Sequence, residues 1–448
     1  MADPTLMRVA AAAGAATFAL TSCGSSGGSS TAASSAPASS SAAASSSSSA
    51  VATPACTPDQ ATKGATPSTK PLKVGTLLPE TGSLAFLGPP EVAGVQLAIN
   101  DVNAAGGVLG QPVALTPGDS GDTTTDTANQ TVDRELAAGV QVIVGAASSS
   151  VSLKVIDKIA AAGVVQFSPA NTSDQFTCYK DKGQYFRTAP ADVLQAQAQA
   201  QLMATDGVQR VSLLALNDPY GTGLADNIKK DLVTAGIKAD QIQTIIYDPN
   251  ASSFNDQIDQ VKNFKPDGIG VIGFDESKRI LTRMSEVGIG PANGKFVYGV
   301  DGNMGNALGE GLPAGLLKGM KGTTPLTETS ADFKTRLKAV NPALIDFNYA
   351  GESYDAVVIS ALAAEFAKST AGTDIAATIN SITKGGQKCK TYAECLPLAK
   401  AGTDLDYDGI TGPLDFTAAG EPAVGSYGVQ TFGADNKLSS PTFIVVGK

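Results

Sequence analysis

Hydrophobic residues fall along this chain in short bursts, each followed by a polar, glycine-rich turn and then by a stretch with apolar residues at helical spacing. The runs at 72–78, 140–144 and 164–167 read as strands buried on both faces, with a shorter one at 113–115. Helical spacing occupies 91–103, which stops at Gly106-Gly107, and then 123–138 and 153–162. A second series opens near Asp192 with a helix to Met203. Strands at 211–216, 243–247, 268–274 and 296–300 follow, alternating with helices at 222–235, 254–264 and 278–287. After Thr324 the pattern is helical at 331–340, 351–368 and 374–382, and extended segments at 428–432 and 442–446 close the chain. Such alternation builds parallel sheets covered by helices. The expected fold is therefore α/β, with two doubly wound parallel-sheet lobes. Joints at 187–191, 322–326 and 409–413 make a three-crossing hinge. Lobe 1 is expected over 72–189 plus 325–408, and lobe 2 over 190–324 plus 413–448.

Two turns in the first series stand out chemically. The strand at 140–144 runs into Gly145-Ala146-Ala147-Ser148-Ser149-Ser150, and that at 164–167 into Ser168-Pro169-Ala170-Asn171-Thr172. Each lies where a strand ends and a helix is about to begin, so unpaired N–H groups, a helix dipole and hydroxyls converge. One such turn alone would be a helix cap. Two of them, one βα unit apart, form a cradle suited to the carboxylate or phosphate of a small ligand. Open α/β sheets bind ligands off the carboxyl ends of their strands, where both turns lie.

The ends of the chain add a location. Arg8 followed by the apolar run at 9–20 reads as an export signal over 1–22, too short to span a bilayer as a helix. Leu20-Thr21-Ser22-Cys23 reads as a lipobox, with Cys23 acylated. Residues 24–49 are nearly all Ser, Ala, Gly and Thr, so 23–55 is expected to be a lipid-anchored, disordered tether. A coil of about thirty residues reaches on the order of 30 Å, enough to lift a domain off a membrane. The folded part is therefore expected outside the cytoplasm, on the outer face of the cytoplasmic membrane.

Net charge of −10 supplies no basic stripe and argues against nucleic acid. The chain has no histidine, which removes the usual Ser-His and Cys-His routes to an activated nucleophile, and an enzyme is not expected. Beyond Cys23 there are four cysteines in an oxidising compartment, for which three pairings are possible. The expected pairs are Cys389–Cys395, closing a short loop, and Cys56–Cys178, pinning the end of the tether to the first lobe. No cysteine pair has zinc-site spacing, and no metal or cofactor is expected. Asp404-Leu405-Asp406-Tyr407-Asp408-Gly409 with Asp415 imitates a calcium loop, but Asp replaces the bidentate Glu and Pro413 interrupts it. Gly221-Thr222-Gly223 lacks the third glycine of a dinucleotide fingerprint, Asp226 standing there instead.

A set of landmarks in fixed order resembles the leucine/isoleucine/valine-binding type of solute-binding lipoprotein of ABC importers, the type I periplasmic-binding-protein fold. They are Asn100-Asp101-Val102-Asn103-Ala104-Ala105-Gly106-Gly107, Val142-Ile143-Val144-Gly145 with its serine run, Ser168-Pro169-Ala170-Asn171-Thr172, Phe186-Arg187-Thr188, Asp218-Pro219-Tyr220-Gly221 and Gly409-Ile410-Thr411-Gly412-Pro413-Leu414-Asp415-Phe416. The resemblance implies that Ser149, Ala170 through its backbone, and Thr172 hold an amino acid's carboxylate. It also implies that Tyr220 lines the cleft and Asp301 binds the ammonium. Leu87 stands where the resemblance implies a tyrosine, Phe274 stands where branched-chain binders often place an aromatic and lacks a phenol hydroxyl, and Asp301 replaces a longer glutamate. The implied function is capture of an amino acid, branched-chain or otherwise apolar, by a monomer that delivers it to a membrane permease. Receptors for urea, short amides or other small polar solutes share the fold, as do ligand sensors.

Overall fold

The computed structural model describes residues 56–447. The expected signal segment, the expected lipidation site Cys23 and the expected tether lie outside the described residues. The first series forms β1 (Lys73–Leu77), α1 (Gly88–Ala104), β2 (Ala114–Thr116), α2 (Thr127–Ala137), β3 (Val142–Gly145), α3 (Ser149–Ala161), β4 (Val165–Ser168) and β5 (Tyr185–Arg187). Its five strands lie parallel in the order β2-β1-β3-β4-β5. Side-chain alternation feeds both faces. Ile143 packs with Val132 and Val151 beneath α2 and α3. Val142 and Val144 pack in the larger core on the other side, with α1 and the helices added later in the chain.

The second series forms α4 (Asp192–Thr205), β6 (Val211–Leu216), α5 (Pro219–Thr234), β7 (Ile242–Tyr247), α6 (Asn255–Phe264), β8 (Gly268–Ile272), α7 (Ser277–Glu286), β9 (Phe296–Gly299) and β10 (Lys321–Pro325). The chain then returns to the first sheet as α8 (Ala331–Val340), α9 (Ala350–Ala367), α10 (Gly372–Ile379), β11 (Gln387–Cys389), α11 (Tyr392–Ala401), β12 (Leu405–Gly409) and β13 (Gly412–Pro413). It ends as β14 (Gly425–Thr431) and β15 (Thr442–Val446), which complete a seven-stranded sheet in the order β15-β14-β10-β9-β8-β6-β7.

Three features differ from the pattern-based expectation. The second sheet is mixed: β14 pairs antiparallel with β10, and β15 antiparallel with β14. Residues 322–326, read as a crossing, belong largely to strand β10, whose Gly322, Thr323 and Thr324 are too polar to show as an apolar burst. Leu414 and Phe416, past the expected third joint, are still buried in the first core. That joint is pinned by Asp355 of α9, which accepts hydrogen bonds from Tyr407 Oη at 2.7 Å, Ile410 N at 3.0 Å and Thr411 N at 2.9 Å. Disulfides join Cys56 to Cys178 and Cys389 to Cys395. Among the described residues no helix is long and apolar enough to cross a membrane.

Candidate functional site

Within each series the strand order is second, first, third, fourth, fifth. Each sheet therefore has a switch point, between β1 and β3 and between β6 and β8, where connections leave to opposite sides and open a crevice. The two crevices face each other, and residues from both meet around one cavity. All seven residues singled out in the sequence line it: Leu87, Ser149, Ala170, Thr172, Tyr220, Phe274 and Asp301. Leu84, Ala147, Ser148, Gly302 and Tyr349 complete the wall. The lining leaves a volume of about 10 Å³, no more than a single water needs. Outside it, past Ser148 and Phe274, a vestibule of about 650 Å³ opens, flanked by Asp122, Asp218, Asp248, Asp275, Lys154 and Arg279.

The first-lobe wall is built by its two turns. β3 ends at Gly145, with φ of +132°, and a β-carbon there would lie 2.1 Å from the carbonyl oxygen of Leu77; only glycine fits. Ser148 then caps α3, its hydroxyl accepting from Val151 N–H at 3.4 Å. The helix starts at Ser149, earlier than the apolar spacing indicated, because the serines themselves form its first turn. The N–H groups of Ser149 and Ser150 thus have no intrahelical partner. The three serines divide their hydroxyls. Ser148 caps, Ser150 donates across the cleft to Asp218, and Ser149 accepts from Ser173 N–H at 3.4 Å, keeping its own proton to donate.

In the second turn, Ser168 Oγ accepts from Ala170 N–H at 3.2 Å and Asn171 N–H at 2.8 Å, and donates to Ala146 O at 2.7 Å. The N–H of Ala170, which lines the cavity, is thus engaged by the serine. Asn171 ties the turns together by donating to Ala147 O at 2.8 Å. Beneath them lies Arg187, fully buried, donating to Asn171 O at 3.2 Å and Ser173 O at 2.9 Å and paired with Glu421 at 2.5 Å. Thr172 faces the cavity with a buried hydroxyl that has no hydrogen-bond partner among the described residues.

The opposite wall carries the acid. Asp301 follows β9 and is 4 % exposed. Its two oxygens accept phenol O–H groups from both sides, Tyr220 Oη and Tyr349 Oη, each at 2.7 Å. Burial pushes the Asp301 carboxyl above the usual carboxylate range, and the phenol bonds oppose that shift. Burial and the neighbouring Asp301 hold both phenols far up, so they keep their protons and act as donors. Phe274 stacks on Tyr220 with centroids 5.6 Å apart and planes 10° apart, closing the cavity toward the vestibule. Tyr349 was missed from the sequence. It precedes α9 in a left-handed conformation, φ +58°, and no capping residue or apolar period marks it.

The calcium-like stretch is a strand here, not a loop. Lys388 Nζ sits against it, 3.0 Å from Asp406 Oδ2 and 2.9 Å from Asp408, so an ammonium pairs with both acids. Among the described residues no cluster has a metal-ligand arrangement.

The family model of periplasmic binding proteins matches residues 71–437. The chain belongs to the periplasmic binding protein family. Among curated relatives, this periplasmic binding protein is 25 % identical over 367 residues to the chemotactic signal transduction system substrate-binding protein BasB of Halobacterium salinarum, covering 80 % of this chain and 86 % of that one. It is 30 % identical over 244 residues to Leu/Ile/Val-binding protein homolog 1 of Brucella suis, covering 52 % of this chain and 62 % of the relative. Among solved structures, it superposes on the branched-chain amino acid transporter substrate binding protein LivJ of Streptococcus pneumoniae, in complex with isoleucine. The TM-score is 0.68 and the identity 23 %, over 84 % of this chain and all of that one. A solute binding protein of an ABC transporter from R. palustris, in complex with benzoate, gives 0.66 at 16 % identity, over 84 % and 98 % of the two chains. These structural likenesses establish the fold of two lobes around a cleft.

Proposed function

We propose that this protein is an extracytoplasmic receptor that captures an amino acid, branched-chain or otherwise apolar, in the interlobe cleft and presents it to an ABC importer. Hinge closure is the whole mechanism, and no bond of the solute is broken. The observation that carries the reading is the polarity of the cavity. Ser149, Thr172 and the N-terminus of α3 offer donors on one wall, and Asp301 offers an acid on the other. A zwitterion satisfies both walls at once, and its charge-assisted bonds favour the closed state over the open one. Leu84, Leu87, Ala147 and Phe274 supply an apolar surround for a side chain. The likeness to Leu/Ile/Val-binding relatives and to the isoleucine-bound LivJ supports the same solute class. In this reading Cys23 carries the lipid anchor, residues 23–55 are the tether, and a monomer diffuses within reach of the permease.

Isothermal titration of the protein and of Asp301→Ala against the common amino acids tests this. Binding of at least one amino acid, lost by a hundredfold or more in the variant, is the expected result. If no amino acid binds, or if the substitution leaves binding unchanged, the zwitterion reading fails. A neutral polar solute such as urea, or a bare carboxylate such as benzoate, would then be the candidate. The name of the Halobacterium relative favours a second reading of the downstream partner, a signalling receptor in place of a permease. Reconstitution with a permease separates the two. Stimulated ATP hydrolysis supports transport, and its absence supports sensing.

A further inference from the structure

The first crossing between the lobes runs from Arg187 at the end of β5 to Asp192 at the start of α4. It holds the second cavity turn from behind. Three consecutive carbonyls of that turn accept hydrogen bonds from this one segment. Asn171 O accepts from Arg187 Nη1 at 3.2 Å, Thr172 O from Asp192 N–H at 2.7 Å, and Ser173 O from Arg187 Nη1 at 2.9 Å. A further bond runs from Thr188 N–H to Ser168 O at 3.1 Å. With its carbonyls committed to the crossing, the turn keeps the Thr172 hydroxyl on the cavity wall, buried and without a partner among the described residues.

The approach to the third crossing is fastened to the same arginine. Gly420 O accepts from Arg187 N–H at 3.0 Å, and the Glu421 carboxylate accepts from Arg187 Nε at 2.9 Å. Thr177 closes the network, its hydroxyl donating to Glu421 Oε1 at 3.1 Å and accepting from Arg187 Nη2 at 3.2 Å. Both charged side chains are buried. Such a pair holds its geometry, because breaking it strands a charge away from water. Past this clamp the chain continues as 188–191 and 422–424. There a cavity of about 30 Å³ is lined by Thr188 and Pro190, by Leu326 and Thr327 of the second crossing, and by Pro422 and Val424.

We propose that Glu421 is a positioning residue for solute binding, acting through Arg187 on the turn that presents the Thr172 hydroxyl. Glu421 itself does not line the cavity. The inference rests on the amino-acid reading above, in which Thr172 meets the solute's carboxylate, and deepens it. The hinge bends beyond the clamp, where the three crossings surround their small cavity. Asn171 O and Ser173 O are held on the near side of that bend, and Thr172 O is held by Asp192 N–H on the far side. Rotation of the lobes shears this set of bonds, and the closed form is the one in which all of them are made. A carboxylate on the Thr172 hydroxyl and closure of the hinge therefore favour each other.

The test is isothermal titration with the common L-amino acids, L-leucine and L-isoleucine first. The protein is compared with Glu421→Gln, Thr172→Val and the double variant, and thermal melts confirm folding. Glu421→Gln keeps the size of the side chain and one acceptor but removes the charge that orders Arg187. It is expected to weaken amino-acid binding about fivefold to twentyfold, and Thr172→Val about tenfold. The double variant should bind within about twofold of Thr172→Val alone, because Glu421 acts through that hydroxyl. In a Tyr349→Phe background, which alters the opposite wall, the loss from Glu421→Gln should add in full. If Glu421→Gln does not fold, Thr177→Val takes its place with the same expectations. Losses that add fully to Thr172→Val overturn the positioning role, because a general structural defect does not depend on one hydroxyl. Unchanged or tighter binding by Glu421→Gln also overturns it, whatever happens to the melting temperature, and leaves the amino-acid reading standing. If no amino acid binds the unaltered protein, both fall.

Discussion

Asp301 is held at 2.7 Å by two phenols that come from different ends of the chain, Tyr220 from the second series and Tyr349 from the segment that returns to the first lobe. The bond from Tyr349 crosses the cleft, so it forms only as the lobes close. Tyr349→Phe is expected to weaken amino-acid binding roughly tenfold, the loss of one hydrogen bond to a charged acceptor, as measured by titration calorimetry. It should leave the melting temperature of the solute-free protein nearly unchanged. Ser149 and Thr172 were legible in the sequence because two hydroxyl-rich strand-end turns lie one βα unit apart. Tyr349 was not, because its importance comes from the partner, Asp301, that folding brings to it.

Helix α3 shows how an element sets the chemistry of a residue. Its apolar period reads from 153, yet the helix begins at Ser149, because Ser148 caps it and two further serines tolerate the first turn. Ser148→Ala is expected to cost about 1 kcal/mol of stability by denaturant titration, with amino-acid affinity falling as the first turn frays. The two cavity turns depend on Arg187 in the same indirect way, since its guanidinium holds the second turn's carbonyls from below. Arg187→Met leaves Glu421 buried and unpaired and is expected to cost about 3–5 kcal/mol in the same measurement. Long apolar strands and helices were readable at close to their observed bounds. The short β5, β11 and β13, and helix α11 with Pro397 inside it, were not. The three strands are too short to show a period, and Pro397 inside α11 argues against a helix there.

Over the whole molecule, buried acids set the response to pH. Burial raises Glu135 and Glu352 to about 8 and Asp181 to about 6, and each therefore keeps a proton in the folded state that the unfolded chain has lost above the ordinary carboxyl range. The stability tied to those protons is complete below that range and is given up as pH rises toward 8. The melting temperature should accordingly be higher at pH 5.5 than at pH 8.5. Glu135→Gln should flatten that slope. With no histidine in the chain, no imidazole titrates across the same interval.

The seam between the lobes is stitched by the protein's own groups. Ser150 donates to Asp218, Ser173 Oγ to Pro219 O at 3.3 Å, Asn306 Nδ2 to Asp346 Oδ1 at 2.7 Å and Asn348 Nδ2 to Met304 O at 3.1 Å. None of these bonds touches the solute, yet each lowers the free energy of the closed form relative to the open one. The apparent affinity of such a receptor is its intrinsic affinity scaled by the fraction of molecules poised to close. Sensitivity to dilute nutrient can therefore be retuned at Ser150 or Asn306 with no change in which solute is chosen. Selectivity is written inside the cavity; the threshold at which the protein responds is written along its rim.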